Sequence, residues 1–157
     1  MLAPYAFAVA AQSSGTIQEK RDELIGRLSA ITSFHDRFAH IIEQGKRRPA
    51  LEPAFKADLH KVEGCLSNLW FVPEFKEGKC YFRVDADSLI VKSIAALLCD
   101  LYSGFGPEEI LSLDPSFLAD VGITQHLSPN RRNSLSRVWE KIRAFALEHR
   151  SKPGSGS

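Results

Sequence analysis

The sequence predicts an α+β fold, a small antiparallel sheet packed against helices. Three patterns carry this. Lys79 to Asp85 alternates, with Cys80, Phe82 and Val84 toward one face and Lys79, Tyr81, Arg83 and Asp85 toward the other, the period of a half-buried strand. A second strand-like run, about Leu66 to Val72, precedes it across a polar turn from Pro73 to Gly78. Around this pair lie capped segments with apolar residues every three or four positions, the spacing of helices that bury one face.

The helices follow in order. Thr16-Ile17-Gln18-Glu19 is a capping box, in which the threonine hydroxyl and the glutamate carboxylate satisfy each other's backbone N–H groups. Leu24, Ile25, Leu28 and Ile31 supply the stripe of the helix it opens. Ser33 to Asp36 opens a second helix with Phe34, Phe38, Ile41 and Ile42 on one face and Gly45 as the residue just past its end. Residues 46–63 hold two prolines and no clear period, so they read as loop. Asp87-Ser88 caps a helix to about Tyr102 whose apolar residues nearly encircle it, leaving a polar stripe of Lys92, Ser93 and Asp100; such a helix belongs in the centre of the core. Two short helices begin near Pro107 and Pro115, and a last one runs from about Arg131 to His149, with Ser128-Pro129 as its cap and first residue. Residues 16–150 therefore form a single domain. Residues 1–15 read as a disordered extension, since Ala8-Val9-Ala10 mimics a signal-peptidase site but no positive segment precedes it. Residues 151–157 read as a flexible tail or linker.

Composition narrows the function. With 20 Lys and Arg against 19 Asp and Glu the chain lacks the basic excess of a nucleic-acid or membrane-surface binder. No apolar run approaches the roughly 20 residues needed to span a bilayer. Three cysteines without a CxxC pair argue against a disulfide framework and for a reducing compartment, taken as the cytoplasm.

The cysteines differ in setting. Cys80 and Cys99 fall within periodic apolar segments and read as core residues. Cys65 follows Gly64 directly, and glycine frees the backbone so that a thiol can stand on a loop tip where a partner reaches it. Positive groups would favour its thiolate; His60 and Lys61 lie just upstream, and Arg131 becomes a candidate if the fold brings it near.

Six separated motifs then resemble one family. They are Gly64-Cys65-x-Ser67-x-x-Trp70, Asp85-Ala86-Asp87, Ile90-Val91-Lys92, Leu101-Tyr102-Ser103-Gly104, Pro107-x-x-Ile110 and Thr124-Gln125-His126-Leu127-Ser128-Pro129-x-Arg131, with Gly45-x-Arg47-x-Pro49 upstream. Across about residues 20–147 the chain is similar to the SufE family of sulfur acceptors, with CsdE proteins as close relatives. The resemblance implies a three-stranded antiparallel sheet with helices, like the U-type iron–sulfur scaffold proteins. It implies that Cys65 takes persulfide sulfur from a cysteine desulfurase of the SufS or CsdA type and passes it to a SufBCD-like scaffold complex, while stimulating the desulfurase. No cofactor is then bound by this chain; the pyridoxal phosphate (PLP) belongs to the desulfurase. No nucleic acid or membrane is involved. The family's amides flanking the serine are here Leu66 and Asn68, so one of the two is lost.

Beside Cys65 stand weaker candidates. His126 is a possible base or ligand, or a capping group at a helix start. Arg131 sits in a first helical turn, where the dipole disfavours a cation, which suggests a partner or the Cys65 loop as its purpose; a surface ion pair is the alternative. Asp87 reads as part of a cap, and the resemblance puts that helix start near the active loop. Three further functions stay open: an iron–sulfur scaffold, an enzyme with a Cys65–His126 nucleophile pair, and an interaction module without thiol chemistry.

Overall fold

The computed structural model describes residues 15–150; the expectations for the two ends fall outside that range. Helix α1 (Ile17–Ser29) opens on the capping box: the Glu19 N–H donates to Thr16 Oγ1 at 3.1 Å and the Thr16 N–H to Glu19 Oε1 at 2.9 Å. Helix α2 (Phe34–Lys46) follows Ser33, whose hydroxyl accepts from the Asp36 N–H. Residues 47–63 carry only two single-turn 3₁₀ segments, Pro53–Phe55 and Asp58–His60.

Strands β1 (Leu69–Lys76) and β2 (Lys79–Ala86) form an antiparallel hairpin. The turn is shorter than the sequence suggests. It is only Glu77-Gly78, both left-handed at φ 53° and 81°, the geometry of a type I′ turn that matches strand twist. Pro73 therefore lies inside β1. It is tolerated there because it faces Phe82, whose own N–H points outward to Ser103 Oγ at 2.8 Å. Pro73 thus occupies a pair that exchanges no ladder hydrogen bonds, and its missing N–H leaves nothing unpaired.

The third strand implied by the family resemblance is not found among the described residues; the sheet has two. Each outer edge carries one isolated bridge instead. On β1, Lys61 faces Trp70 and the Val62 N–H reaches Leu69 O at 2.8 Å, but the chain turns away at Gly64. On β2, Cys80 faces Phe105, and at the next outward-facing residue, Phe82, the Ser103 hydroxyl takes the place of a backbone partner.

Helix α3 (Leu89–Tyr102) is the central helix, with nine of its 14 residues buried. It packs on β2, α2 and α6. Gly45 is not past the end of α2 but buried within its last turn. A Cβ there would lie 2.8 Å from Ser93 Cα, so glycine is what lets α2 and α3 touch along their backbones. Short helices α4 (Pro107–Leu111) and α5 (Phe117–Asp120) lead to α6 (Pro129–His149), capped by Ser128 with Pro129 at its first position. The core joins Phe71, Phe82 and Tyr102 to Val138 and Ile142 of α6. Each such side chain contributes roughly 2 kcal/mol on leaving water. Among the described residues no helix is long and apolar enough to cross a membrane.

Candidate functional site

The loop from Gly64 to Asn68 connects the Val62 bridge to β1 and is fastened at both ends. Gly64 has φ +83°, a conformation costly for any other residue. Its carbonyl accepts from Asn133 Nδ2 of α6 at 2.7 Å, and a Cβ on it would meet the Arg137 guanidinium 2.9 Å from Nε. At the other end Asn68 Nδ2 donates to Asp87 Oδ2 at 2.7 Å, and the Asp87 N–H returns to Asn68 O at 3.1 Å. Asn68 thus keeps a structural use for its amide, while Leu66 stands 82% exposed.

Cys65 sits between these anchors, half-buried against the edge of the core. The other two thiols are sealed. Cys80 is wholly buried, which pushes its pKa up to about 11, and Cys99 is raised to about 12 by burial, against the pull of Arg48. Both stay protonated near neutral pH, and only Cys65 meets solvent.

Of the supporting candidates, Arg131 comes to the loop. It borders a cavity of about 310 Å³ together with Leu66, Ser67, Ser88, Ser128 and Ser134. Its backbone N–H is taken by Ser128 Oγ, and its guanidinium forms no ion pair among the described residues, so the surface ion pair considered for it is not observed. Asp87 fastens the loop and precedes the true cap, Ser88, whose Oγ accepts from the Val91 N–H. His126 is not drawn in: its Nδ1 is 2.9 Å from Gly122 O and its ring stacks on Phe34. His60 packs on Phe55, and Lys61 is engaged through its backbone. Among the described residues no three His, Cys, Asp or Glu side chains converge as a metal site would need.

Two features were not anticipated. Asn133 and Arg137 lie one turn apart on α6, so both face the Gly64 loop. Asp85, expected on the solvent face of β2, is 2% exposed. Burial alone would raise its pKa. The N–H groups of Leu51 and Ala86, the Lys56 ammonium at 3.2 Å and that of Lys92 at 3.5 Å outweigh this and hold the carboxyl below its ordinary range. The cluster fixes the 47–63 segment, and hence the approach to the thiol loop, onto the hairpin and α3.

Residues 22–146 match the family model of the SufE Fe-S metabolism associated domain. The chain belongs to the SufE family. The fold has a counterpart of known structure, a hypothetical protein of Thermus thermophilus, at a TM-score of 0.69 and 20% identity, over 83% of this chain and 95% of that one. The association with iron–sulfur metabolism thus rests on the family, and the helix-and-hairpin architecture of this SufE domain recurs at low identity.

Proposed function

We propose that this SufE-family chain is a sulfur acceptor and carrier in iron–sulfur cluster assembly, with Cys65 as the atom-bearing residue. The observation that carries this is the contrast among thiols: one half-exposed on a fastened loop, two sealed in the core. The donor is a PLP-dependent cysteine desulfurase holding a cysteine persulfide; PLP stays with that enzyme, and this chain stimulates its turnover. The Cys65 thiolate attacks the terminal, sulfane sulfur. A new S–S bond forms on Cys65, the donor's S–S bond breaks, and the donor cysteine leaves as a thiolate. The step is redox-neutral and needs no further co-reactant, and repeating it toward a scaffold complex discharges the sulfur. Arg131 borders the cavity beside Leu66 and Ser67 of the loop, where its guanidinium is available to an anionic group of a docking partner. A carrier of this kind works in a reducing compartment, for which the cytoplasm is the natural choice.

The test is intact-mass measurement after incubation with a cysteine desulfurase, PLP and L-cysteine. Wild type should gain one sulfur, removable by reductant, and Cys65→Ser should gain none. Equal uptake by both proteins, or none by wild type, would refute the assignment.

A further inference from the structure

A larger cavity, of about 520 Å³, lies between α1, α2 and α3. It is built from elements that do not carry Cys65, and its volume is within the roughly 300–1,000 Å³ of small-molecule sites. Its lining mixes two chemistries. Leu24, Leu28, Ile41 and Leu97 are apolar. Lys20, Arg27 and Arg48 bring three cations to it, with the two carboxylates of Glu23 and Asp100. Counting Lys20 as protonated, these five Lys, Arg, Asp and Glu side chains sum to one positive charge.

The cations are held close at a cost. Lys20 Nζ donates to the main-chain carbonyl of Asp100 at 2.6 Å and lies 5.3 Å from the Phe105 ring centre. Burial lowers its pKa to about 8, and the charges of Arg27 and Arg48 add to the fall while Glu23 opposes it. Arg48 is paired with the Asp100 carboxylate. Arg27 has no ion pair among the described residues. Lys20, Leu24, Arg27 and Leu28 recur at helical spacing on one face of α1, so head and tail contacts run side by side.

We propose that this cavity binds a small organic carboxylate with an apolar chain, its head between Lys20 and Arg27 and its chain along Leu24, Leu28 and Leu97. A monoanion matches the single uncompensated charge, whereas a dianionic head would exceed it. The site is independent of Cys65.

Calorimetric titration of the full chain with octanoate at pH 8 tests this, with acetate and octanol as the separate halves. Octanoate should bind at one saturable site, and each half at least about tenfold more weakly, since one charge-assisted hydrogen bond is worth about that factor. Arg27→Gln, at an exposed position, and Lys20→Gln should each weaken octanoate about tenfold, with folding checked by circular dichroism. Binding an anion raises the Lys20 pKa, so the wild type should take up protons and its enthalpy should vary with buffer ionisation heat; Lys20→Gln should lose that dependence. Cys65→Ser should bind as wild type. No saturable octanoate site, octanol binding as tightly as octanoate, tighter binding of octyl phosphate, or unchanged affinity in both variants would overturn the proposal.

Discussion

Asn133 on the last helix donates its side-chain amide to the carbonyl of Gly64 at 2.7 Å, a contact 69 residues apart in the chain. It sets the height of the thiol loop above α6. The Asn133→Ala variant should loosen the loop at a stability cost of about 1 kcal/mol, the ordinary net worth of one hydrogen bond. Cys65 should then be alkylated faster by iodoacetamide in the native protein, while sulfur uptake from a desulfurase slows because the loop is less well ordered. An unchanged alkylation rate would show that the bond does not restrain the loop.

Burial separates the three thiols in reactivity. At neutral pH and without denaturant, one equivalent of iodoacetamide-labelled cysteine should form, at Cys65 on peptide mapping. Cys80 and Cys99 titrate only near 11 and 12 in the fold, against about 9 for an unshifted thiol. The folded state holds its protons longer, so the stability tied to these neutral thiols is full below pH 9 and is lost as pH climbs toward 11 and 12. Urea midpoints should fall across that window, and less so in a Cys80→Ala variant.

Asp85 gives the opposite slope. Its folded pKa is lowered, so its contribution is present above the unfolded value of about 3.9 and disappears as pH drops through the folded value. Asp85→Asn should cost about 2 kcal/mol at pH 7, because Lys56 and Lys92 lose their anion; the figure is modest since Lys56 keeps 34% of its side chain in water. The variant should also show a shallower loss of stability between pH 5 and pH 3. A parallel acid limb would place the acid sensitivity elsewhere.

Gly45→Ala should be severe. The added methyl meets Ser93 backbone 2.8 Å away, so the two helices must part; overpacking of this sort costs about 1–3 kcal/mol or more. Gly26→Ala, where nothing lies within 4 Å of the new Cβ, is the control and should be neutral or slightly stabilising through helix propensity. Thermal midpoints of the two variants decide it.

The elements legible in the sequence were those whose signals are local. Thr16 and Glu19, Ser33, Ser88, and Ser128 with Pro129 marked their helix starts because a cap is written within four residues. The alternation of β2 and the encircled α3 showed which faces are buried. What could not be read depends on distant partners. Gly45 looks like a helix end until α3 is placed against it. Pro73 looks like a turn until the hairpin register shows its N–H is not needed. The third strand, implied only by the family resemblance, is not found among the described residues, where isolated bridges at Lys61–Trp70 and Cys80–Phe105 flank the two-stranded sheet. At the site, Cys65 stood out through its glycine and the family motifs, and Asp87 through its cap, but Asn133, Arg137 and Asp85 acquire their roles only from elements dozens of residues away.

Pro73 has one more effect. A two-stranded ribbon offers a raw border along which a foreign chain could be stitched on, as in fibril growth. The outward register of β1 puts a residue without an amide hydrogen in the middle of that border, so an incoming strand finds a gap where it needs a donor. The imino acid that the hairpin accepts at no loss thus makes this edge a poorer template for an added strand.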